Sequence, residues 1–145
     1  MLAFGEATVP GYPYWLETTN GCQWDNVIQK QMFSHYVKES VSLVNGDLDG
    51  ICAMAREFGI SVILGVVETN DSIEGGSGHS LFCTVVFIDG KEGKISNVHR
   101  KLMPTFDERL VWSQGPGGSG LKTQKVGSFT VSMLNCWENW VIIQI

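Results

Sequence analysis

The chain has 145 residues, which fits one domain and leaves no room for two of ordinary size. Its hydrophobic fraction of 43% and charged fraction of 17% exclude intrinsic disorder. Ten Lys and Arg against fifteen Asp and Glu give a net charge of −5. This acidic balance argues against a nucleic-acid partner and against an anionic membrane surface.

The chain shows no targeting or metal-binding pattern. No apolar run approaches the roughly 18 residues of a membrane span, and the first residues lack the basic start of a signal peptide. Four cysteines are widely spaced and form no C-x-x-C pair, so we expect no metal site and free thiols in a reducing cytoplasm. They are Cys22, Cys52, Cys83 and Cys136. We expect three of them to be small buried side chains and Cys136 to differ.

The N-terminal part of the chain predicts one strand and two helices. A short strand begins at Leu2 and ends at Glu6, before a loop with two prolines. Apolar residues at helical spacing predict a helix over residues 24–39 and a second one over residues 48–58. For the second helix, Asp47 is the expected N-cap and Gly59 the stop signal.

The rest of the chain predicts strands. A β-branched run over residues 60–68 is typical of a strand buried on both faces. A loop over residues 70–79 and a hairpin connection at residues 89–93 separate it from further strands. These strands are expected over residues 80–89, 94–101 and 126–135. The order predicts an α/β or α+β layered domain in which helices cover a sheet.

Three reactive side chains lie where predicted strands end. Glu6 precedes the Pro-Gly-Tyr-Pro loop, Lys101 follows the third long strand, and Cys136 follows the last one. A nearby ammonium lowers the pKa of a thiol, and a carboxylate can take its proton. Each residue alone also fits a structural role, as a cap or salt-bridge partner, a surface lysine or a buried thiol. Spacing does not show whether the three meet.

Three motifs resemble those of the nitrilases. Residues 4–13 read F-G-E-A-T-V-P-G-Y-P and are similar to the F-x-E-A-x-x-P-G-Y-P segment of that family. Residues 99–105, H-R-K-L-M-P-T, followed by E-R-L-V-W at residues 108–112, resemble H-R-K-L-x-P-T…E-R-x-x-W. Residues 136–139 match C-W-E-N. The motifs occur in the family's order and together cover nearly the whole chain.

The resemblance implies a carbon–nitrogen hydrolase with a Glu–Lys–Cys triad in a four-layer αββα sandwich. Glu6 is then the general base, Lys101 the electrostatic partner and Cys136 the nucleophile, while Glu108 positions the site around the lysine. The C-W-E-N form points to the nitrile-cleaving branch, with a small-molecule nitrile and water as substrates and no metal or organic cofactor.

Other residues of the motifs are candidates for lesser roles. Trp137 and Tyr12 are expected to line the substrate pocket, although aromatic residues are more often plain core. His99 lies beside the lysine and fits either a supporting hydrogen bond or a purely structural place. His35 and His79 are expected on the surface.

The family's chains are longer than this one. The resemblance implies a further strand and helix before Leu2 and a long C-terminal half, so residues 1–145 are expected to form a partial carbon–nitrogen hydrolase domain. It also implies homo-oligomers. Cyanide hydration or an amidase-like reaction by the same triad remains an alternative. A third alternative is an inactive fragment or a subunit that needs a missing half.

Overall fold

A computed structural model describes residues 1–20, 23–72, 80–118 and 120–140. Within these ranges the elements form a mixed α/β fold, as predicted. The strands are β1 (Leu2–Ala3), β2 (Val62–Thr69), β3 (Leu81–Asp89), β4 (Lys94–Arg100), β5 (Gln124–Val126) and β6 (Phe129–Val131). The helices are α1 (Trp15–Thr18), α2 (Val27–Glu39) and α3 (Asp49–Phe58). Single 3₁₀ turns lie at Asn70–Ser72, Phe106–Leu110 and Cys136–Asn139.

The main sheet has the strand order β1-β2-β3-β4. The strand β1 pairs in parallel with β2, and the next two pairs are antiparallel. The predicted β-branched strand is confirmed as β2, and its residues are mostly buried because the sheet is covered on both faces. The predicted hairpin between β3 and β4 is also confirmed. In this register the end of β4 lies beside the middle of β3.

Different elements cover the two faces of the sheet, because successive side chains of a strand point to opposite sides. The helix α3 packs on one face, and the segment containing β5 and β6 packs on the other. The first core includes Leu64, Val66, Val86, Cys52 and Ala55. The second includes Val85, Phe87 and Met133, with Val126 and Val131 packed against them. A third core surrounds the start of β3 and contains Ala7, Tyr36, Val67, Leu81, Cys83 and Trp112.

The helix α2 begins slightly later than the predicted start at residue 24. Asn26 is its N-cap, and the Asn26 side chain accepts hydrogen bonds from Ile28 N at 2.9 Å and Gln29 N at 3.1 Å. One helix, α1, was not predicted, since four residues are too few for a periodic pattern. None of the helices in the described ranges has the length and apolar character needed to cross a membrane.

The helix α3 ends as predicted but begins differently. Gly59 terminates it with φ 65°, in the left-handed region that glycine adopts without strain. Asp47 is not its N-cap, because Leu48 occupies that position. The Asp47 carboxylate instead accepts a hydrogen bond from Ser42 N at 2.7 Å, so it closes the turn before the helix.

The predicted strand over residues 126–135 is wrong. The chain reverses at Gly127, which has φ 60°, and forms the short hairpin of β5 and β6. After β6 the backbone is anchored by the buried side chains of Met133 and Asn135 without pairing as a strand. Cys136 therefore lies at the start of a 3₁₀ turn rather than at a strand end. The loop predicted over residues 70–79 is described only as far as Ser72.

Candidate active site

Lys101 lies directly after β4, and its side chain is only 1% exposed. Its backbone amide donates to Cys83 O at 2.8 Å, which continues the pairing with β3. The Nζ atom donates to Glu6 Oε1 at 3.0 Å and to Glu108 Oε2 at 2.7 Å. A buried ammonium is tolerated only when it is paired in this way. One cation thus joins two carboxylates that are distant in sequence.

The pKa values of Lys101 and Glu6 are both raised, for different physical reasons. Burial alone lowers the pKa of Lys101, but hydrogen bonds to Glu108 and Glu6 outweigh it, so the pKa is raised and the side chain stays charged. Burial raises the pKa of Glu6, and the attraction of Lys101 only partly offsets this. A carboxylate with a raised pKa is better suited to exchange a proton than an ordinary one.

The position of Glu6 depends on a glycine in the neighbouring strand. The backbone beyond β1 runs along β2, where Phe4 N donates to Ile63 O at 2.9 Å. At Gly65 a Cβ atom would lie 2.1 Å from Gly5 O and 2.8 Å from Glu6 Cα. Only glycine allows this close approach of two backbones. Gly65 therefore lets Glu6 reach the lysine.

Glu108 is held by the 3₁₀ turn that starts after Thr105. The two residues form a capping box, in which Thr105 N donates to Glu108 Oε2 at 2.7 Å. The same oxygen accepts the hydrogen bond from Lys101. Because the carboxylate is buried and fixed from two sides, Glu108 is placed to orient the ammonium.

Two aromatic rings complete the surroundings of the ion pairs. The Tyr12 hydroxyl donates to Glu108 Oε1 at 3.5 Å. Burial and the charge of Glu108 raise the pKa of Tyr12 to about 12, so the hydroxyl keeps its proton. The Trp112 ring lies edge-on to Tyr12, and its centroid is 5.7 Å from Lys101 Nζ. This arrangement places the negative face of an aromatic ring near the cation.

Cys136 is presented on a strained turn. It has φ 44°, a conformation that is uncommon for a residue with a side chain and that recurs at functional sites. Asn135 and Glu138 cap the turn reciprocally, and Asn139 Nδ2 donates to Cys136 O at 2.9 Å. Cys136 is exposed, whereas Cys52 and Cys83 are buried. Its turn is thus fixed while its thiol remains accessible.

A cleft of about 270 Å³ lies between this turn and the Glu108 turn. Its volume approaches the lower end of the range of small-molecule sites. Glu6 and Lys101 do not line the cleft, but Lys101 donates both to Glu6 and to the lining residue Glu108. The lining residues include Tyr12, Pro13, Leu16, Thr105, Phe106, Glu108, Cys136 and Trp137.

The structure brings most of the sequence-predicted residues together. Glu6, Lys101 and Glu108 form one ion-paired group, and Tyr12 is bonded to it. Cys136 and Trp137 reach the same cleft from the other turn. Among the described residues, no hydrogen bond or ion pair joins Cys136 to the charged group. The cleft is what the two groups share.

The histidines and the remaining cysteine fall in different places. His99 is buried on β4, and its ring is hydrogen-bonded to Glu138. This agrees with the alternative in which His99 makes a supporting hydrogen bond. His35 is exposed, as predicted. His79 and Cys22 lie outside the described residues.

Sequence reasoning missed two residues of this region. Cys83 was expected only as a small buried side chain, yet burial and the charge of Glu6 raise the pKa of its thiol. No local sequence pattern indicates that Cys83 lies near Glu6, because strand pairing brings Cys83 to the site. Glu138 was noted only as a motif letter. Its spacing of three residues after Asn135 is the capping-box signal that could have identified it.

The sequence matches the carbon–nitrogen hydrolase family over residues 1–143. The chain belongs to the carbon–nitrogen hydrolase family. The polar group described above therefore lies in the part of the sequence that defines the family match.

Relatives of this chain include proteins named as a nitrilase, a cyanide hydratase and an arylacetonitrilase. "Nitrilase 2" from an unknown prokaryotic organism is 37% identical over 143 residues, covering 99% of this chain and 42% of that protein. A cyanide hydratase from Microdochium sorghi is 32% identical, covering 96% of this chain and 34% of that protein. An arylacetonitrilase from Hypocrea virens is 31% identical, covering 96% of this chain and 38% of that protein. The chain spans less than half the length of each of these relatives.

The fold agrees with the family. A carbon–nitrogen hydrolase from Helicobacter pylori G27 superposes with a TM-score of 0.57 at 19% identity, covering 96% of this chain and 40% of that chain. At this identity the likeness establishes the fold and nothing finer.

Proposed function

We propose that this chain carries a thiol-dependent site that hydrolyses a nitrile to a carboxylic acid and ammonia. The observation that carries the proposal is the buried Lys101 ammonium between Glu6 and Glu108, because Glu108 lines the same cleft as the accessible Cys136. A general base, a fixed cation and a nucleophile are the parts that covalent hydrolysis without a metal needs. The nitrilase names among the relatives support the nitrile as substrate.

The first half of the reaction forms a covalent intermediate. Glu6 takes the proton of the Cys136 thiol, and the sulfur attacks the nitrile carbon. As the carbon–sulfur bond forms, one π bond of the nitrile breaks and its electron pair moves to nitrogen. Glu6 returns the proton to that nitrogen, which gives a neutral thioimidate. Lys101, held charged by its two carboxylates, and a backbone N–H near Trp137 stabilise the negative charge that develops.

The second half consumes two waters. Glu6 activates a water that adds to the thioimidate carbon and gives a tetrahedral intermediate. Protonated nitrogen leaves as ammonia, and a thioester remains. A second water, activated in the same way, breaks the carbon–sulfur bond, releases the carboxylic acid and restores the Cys136 thiol. Glu108 keeps Lys101 oriented throughout, and Tyr12 and Trp137 contact the substrate in the cleft.

A second outcome of the same chemistry is an amide. If the tetrahedral intermediate loses the Cys136 sulfur instead of ammonia, one water is consumed and the carbon–nitrogen bond survives. The relatives named cyanide hydratase and bifunctional nitrilase/nitrile hydratase favour this second candidate. An amidase-like reaction would use the same groups on a carbonyl carbon. Product analysis separates an acid from an amide.

The wider setting is also part of the proposal. Residues 1–145 form a partial carbon–nitrogen hydrolase domain, and the whole protein is a cytoplasmic homo-oligomer. Free thiols at Cys52, Cys83 and Cys136 suit a reducing compartment. A fragment or subunit that needs further residues for activity is the competing reading, because the relatives are more than twice as long.

Ammonia release from aliphatic, arylacetic and aromatic nitriles tests the proposal, with Cys136→Ala as the matched variant. We expect ammonia from the unaltered chain and none from the variant, together with an acid or amide product identified by mass spectrometry. Equal ammonia from both proteins would contradict the assignment of Cys136 as the nucleophile. Cys52→Ala serves as a control for thiol removal elsewhere.

A further inference from the structure

The Glu138 carboxylate gathers three hydrogen bonds from two parts of the chain. Its Oε2 atom accepts a hydrogen bond at 2.8 Å from Asn135 N, at the N-cap of the Cys136–Asn139 turn. The same oxygen lies 2.7 Å from His99 Nε2 on β4. Its Oε1 atom accepts from Leu102 N at 2.7 Å. One side chain therefore connects the turn that presents Cys136 to the end of the sheet.

The two sheet-side partners of Glu138 flank Lys101 on either side. His99 precedes the lysine by two residues and is 2% exposed, and Leu102 follows it directly. Because Lys101 is fixed by its own ion pairs, the backbone around it is a rigid reference. Cys136 precedes Glu138 by two residues in the same turn. The hydrogen bonds of Glu138 therefore fix the distance between Cys136 and the backbone around Lys101.

We propose that Glu138 is a positioning residue, which holds the Cys136 thiol at the cleft through its bonds to His99, Leu102 and Asn135. The inference rests on the proposed function, since it assigns a support to the proposed nucleophile. Glu138 does not contact substrate and acts through the turn. Cys136 itself has a strained backbone, and such a conformation persists only when its surroundings fix it.

The electrostatics of Glu138 agree with this role. Burial alone raises its pKa, but the bonds from His99, Leu102 and Asn135 outweigh burial, so the pKa lies below its ordinary value of 4.5. The group is an acceptor for all three donors at neutral pH. An amide in its place has one accepting oxygen and one donating NH₂, so it leaves at least one of the three donors facing another donor.

Alkylation of Cys136 by iodoacetamide tests the proposal without requiring turnover. The rate is followed by peptide mass spectrometry as a function of pH, in the unaltered chain, in Glu138→Gln and in His99→Gln. Losing these hydrogen bonds frees the turn and changes the exposure and orientation of the thiol, so we expect the alkylation rate of Cys136 at neutral pH to change several-fold in Glu138→Gln. His99→Gln is expected to change the rate in the same direction and by less.

The double variant and a control sharpen the measurement. His99 and Glu138 share one hydrogen bond. The effect of the double variant on the alkylation rate is therefore expected to be smaller than the product of the two single effects. Glu57→Gln, an exposed carboxylate on α3, is expected to alkylate as the unaltered chain does. An unchanged alkylation rate in Glu138→Gln overturns the proposal. Circular dichroism identifies a variant that fails to fold.

Two further readouts keep the test decisive. Where ammonia release is measurable, Glu138→Gln is expected to lower kcat on the order of tenfold to a hundredfold with little change in KM. A chain without turnover whose alkylation still responds to Glu138 contradicts the proposed function and supports the positioning role. If neither variant folds, amide hydrogen exchange in the unaltered chain decides. Slow exchange at both Leu102 and Asn135 is expected, and fast exchange at both overturns the proposal.

Discussion

Lys101 and Cys136 reach the candidate site with different kinds of support. Lys101 is 1% exposed and is bound through its charge by Glu6 and Glu108. Cys136 is exposed, and its support comes from hydrogen bonds made by its neighbours Asn135 and Glu138. The charged group is part of the folded core, whereas the proposed nucleophile lies on a turn tethered to it. Substitutions should therefore separate stability from reactivity.

The largest expected effect comes from removing the buried cation. Lys101→Met leaves the buried Glu108 and the half-buried Glu6 without their partner, which costs about 3–5 kcal/mol of unfolding free energy. Cys136→Ala removes an exposed thiol and is expected to change stability by less than about 0.5 kcal/mol. Urea denaturation of both variants measures the difference.

The matched control for this comparison is Lys91→Met, since Lys91 is exposed at the hairpin after β3. It loses the same charge without uncovering buried carboxylates, so little change is expected. Equal destabilisation of Lys91→Met and Lys101→Met would show that the ion pairs of Lys101 do not support the fold.

An intermediate effect is expected where the backbone of Glu6 crosses β2. In Gly65→Ala the new Cβ would lie 2.1 Å from Gly5 O, so the segment carrying Glu6 must move. We expect a loss of about 1–3 kcal/mol by overpacking, together with a large loss of ammonia release. Urea denaturation and the ammonia assay measure the two consequences.

Gly50→Ala in α3 supplies the control, because a Cβ there meets nothing within 4 Å. A helical glycine replaced by alanine is expected to stabilise the protein by about 0.5–1 kcal/mol. Similar stability of the two variants would mean that the close approach at Gly65 relaxes without cost.

These comparisons show how far the sequence determines the site. The helices α2 and α3 and the strands β2 to β4 were predicted because their signals are local, as the hydrophobic period of α3 and the β-branched run of β2 illustrate. The hairpin of β5 and β6 was missed, since a single glycine at residue 127 reverses a run that otherwise continues as a strand.

The meeting of Glu6 with Lys101 could not be derived from local patterns. The two residues are 95 positions apart, and their contact depends on the pairing of β1 with β2 and on the close approach at Gly65. Only the resemblance of the motifs linked them in advance. Cys83 was missed for the same reason, because its partners come from other elements, whereas Glu138 carries a local capping-box signal that the prediction overlooked.

The smallest expected effect comes from substituting Cys83. This substitution separates the packing role of a buried thiol from its effect on the charged group at Glu6. The Cys83 thiol interacts with the Glu6 carboxyl and holds the pKa of that carboxyl lower than burial alone would. Cys83→Ala and Cys52→Ala both empty a small buried space and should each cost about 1 kcal/mol. Only Cys83→Ala should raise the pKa of Glu6 further.

Carbon-13 NMR titration of the Glu6 carboxyl measures this shift without turnover. A proton acceptor must be ionised to act, so a higher pKa also moves the acid limb of the pH–rate profile to higher pH in Cys83→Ala. The sign for stability is the opposite of the usual carboxylate case. Because the folded-state pKa of Glu6 is raised, its contribution is full below the unfolded pKa and is lost as pH rises through the folded pKa. An identical Glu6 titration in the two cysteine variants would assign Cys83 to packing alone and leave Lys101 as the group that sets the proton affinity of Glu6.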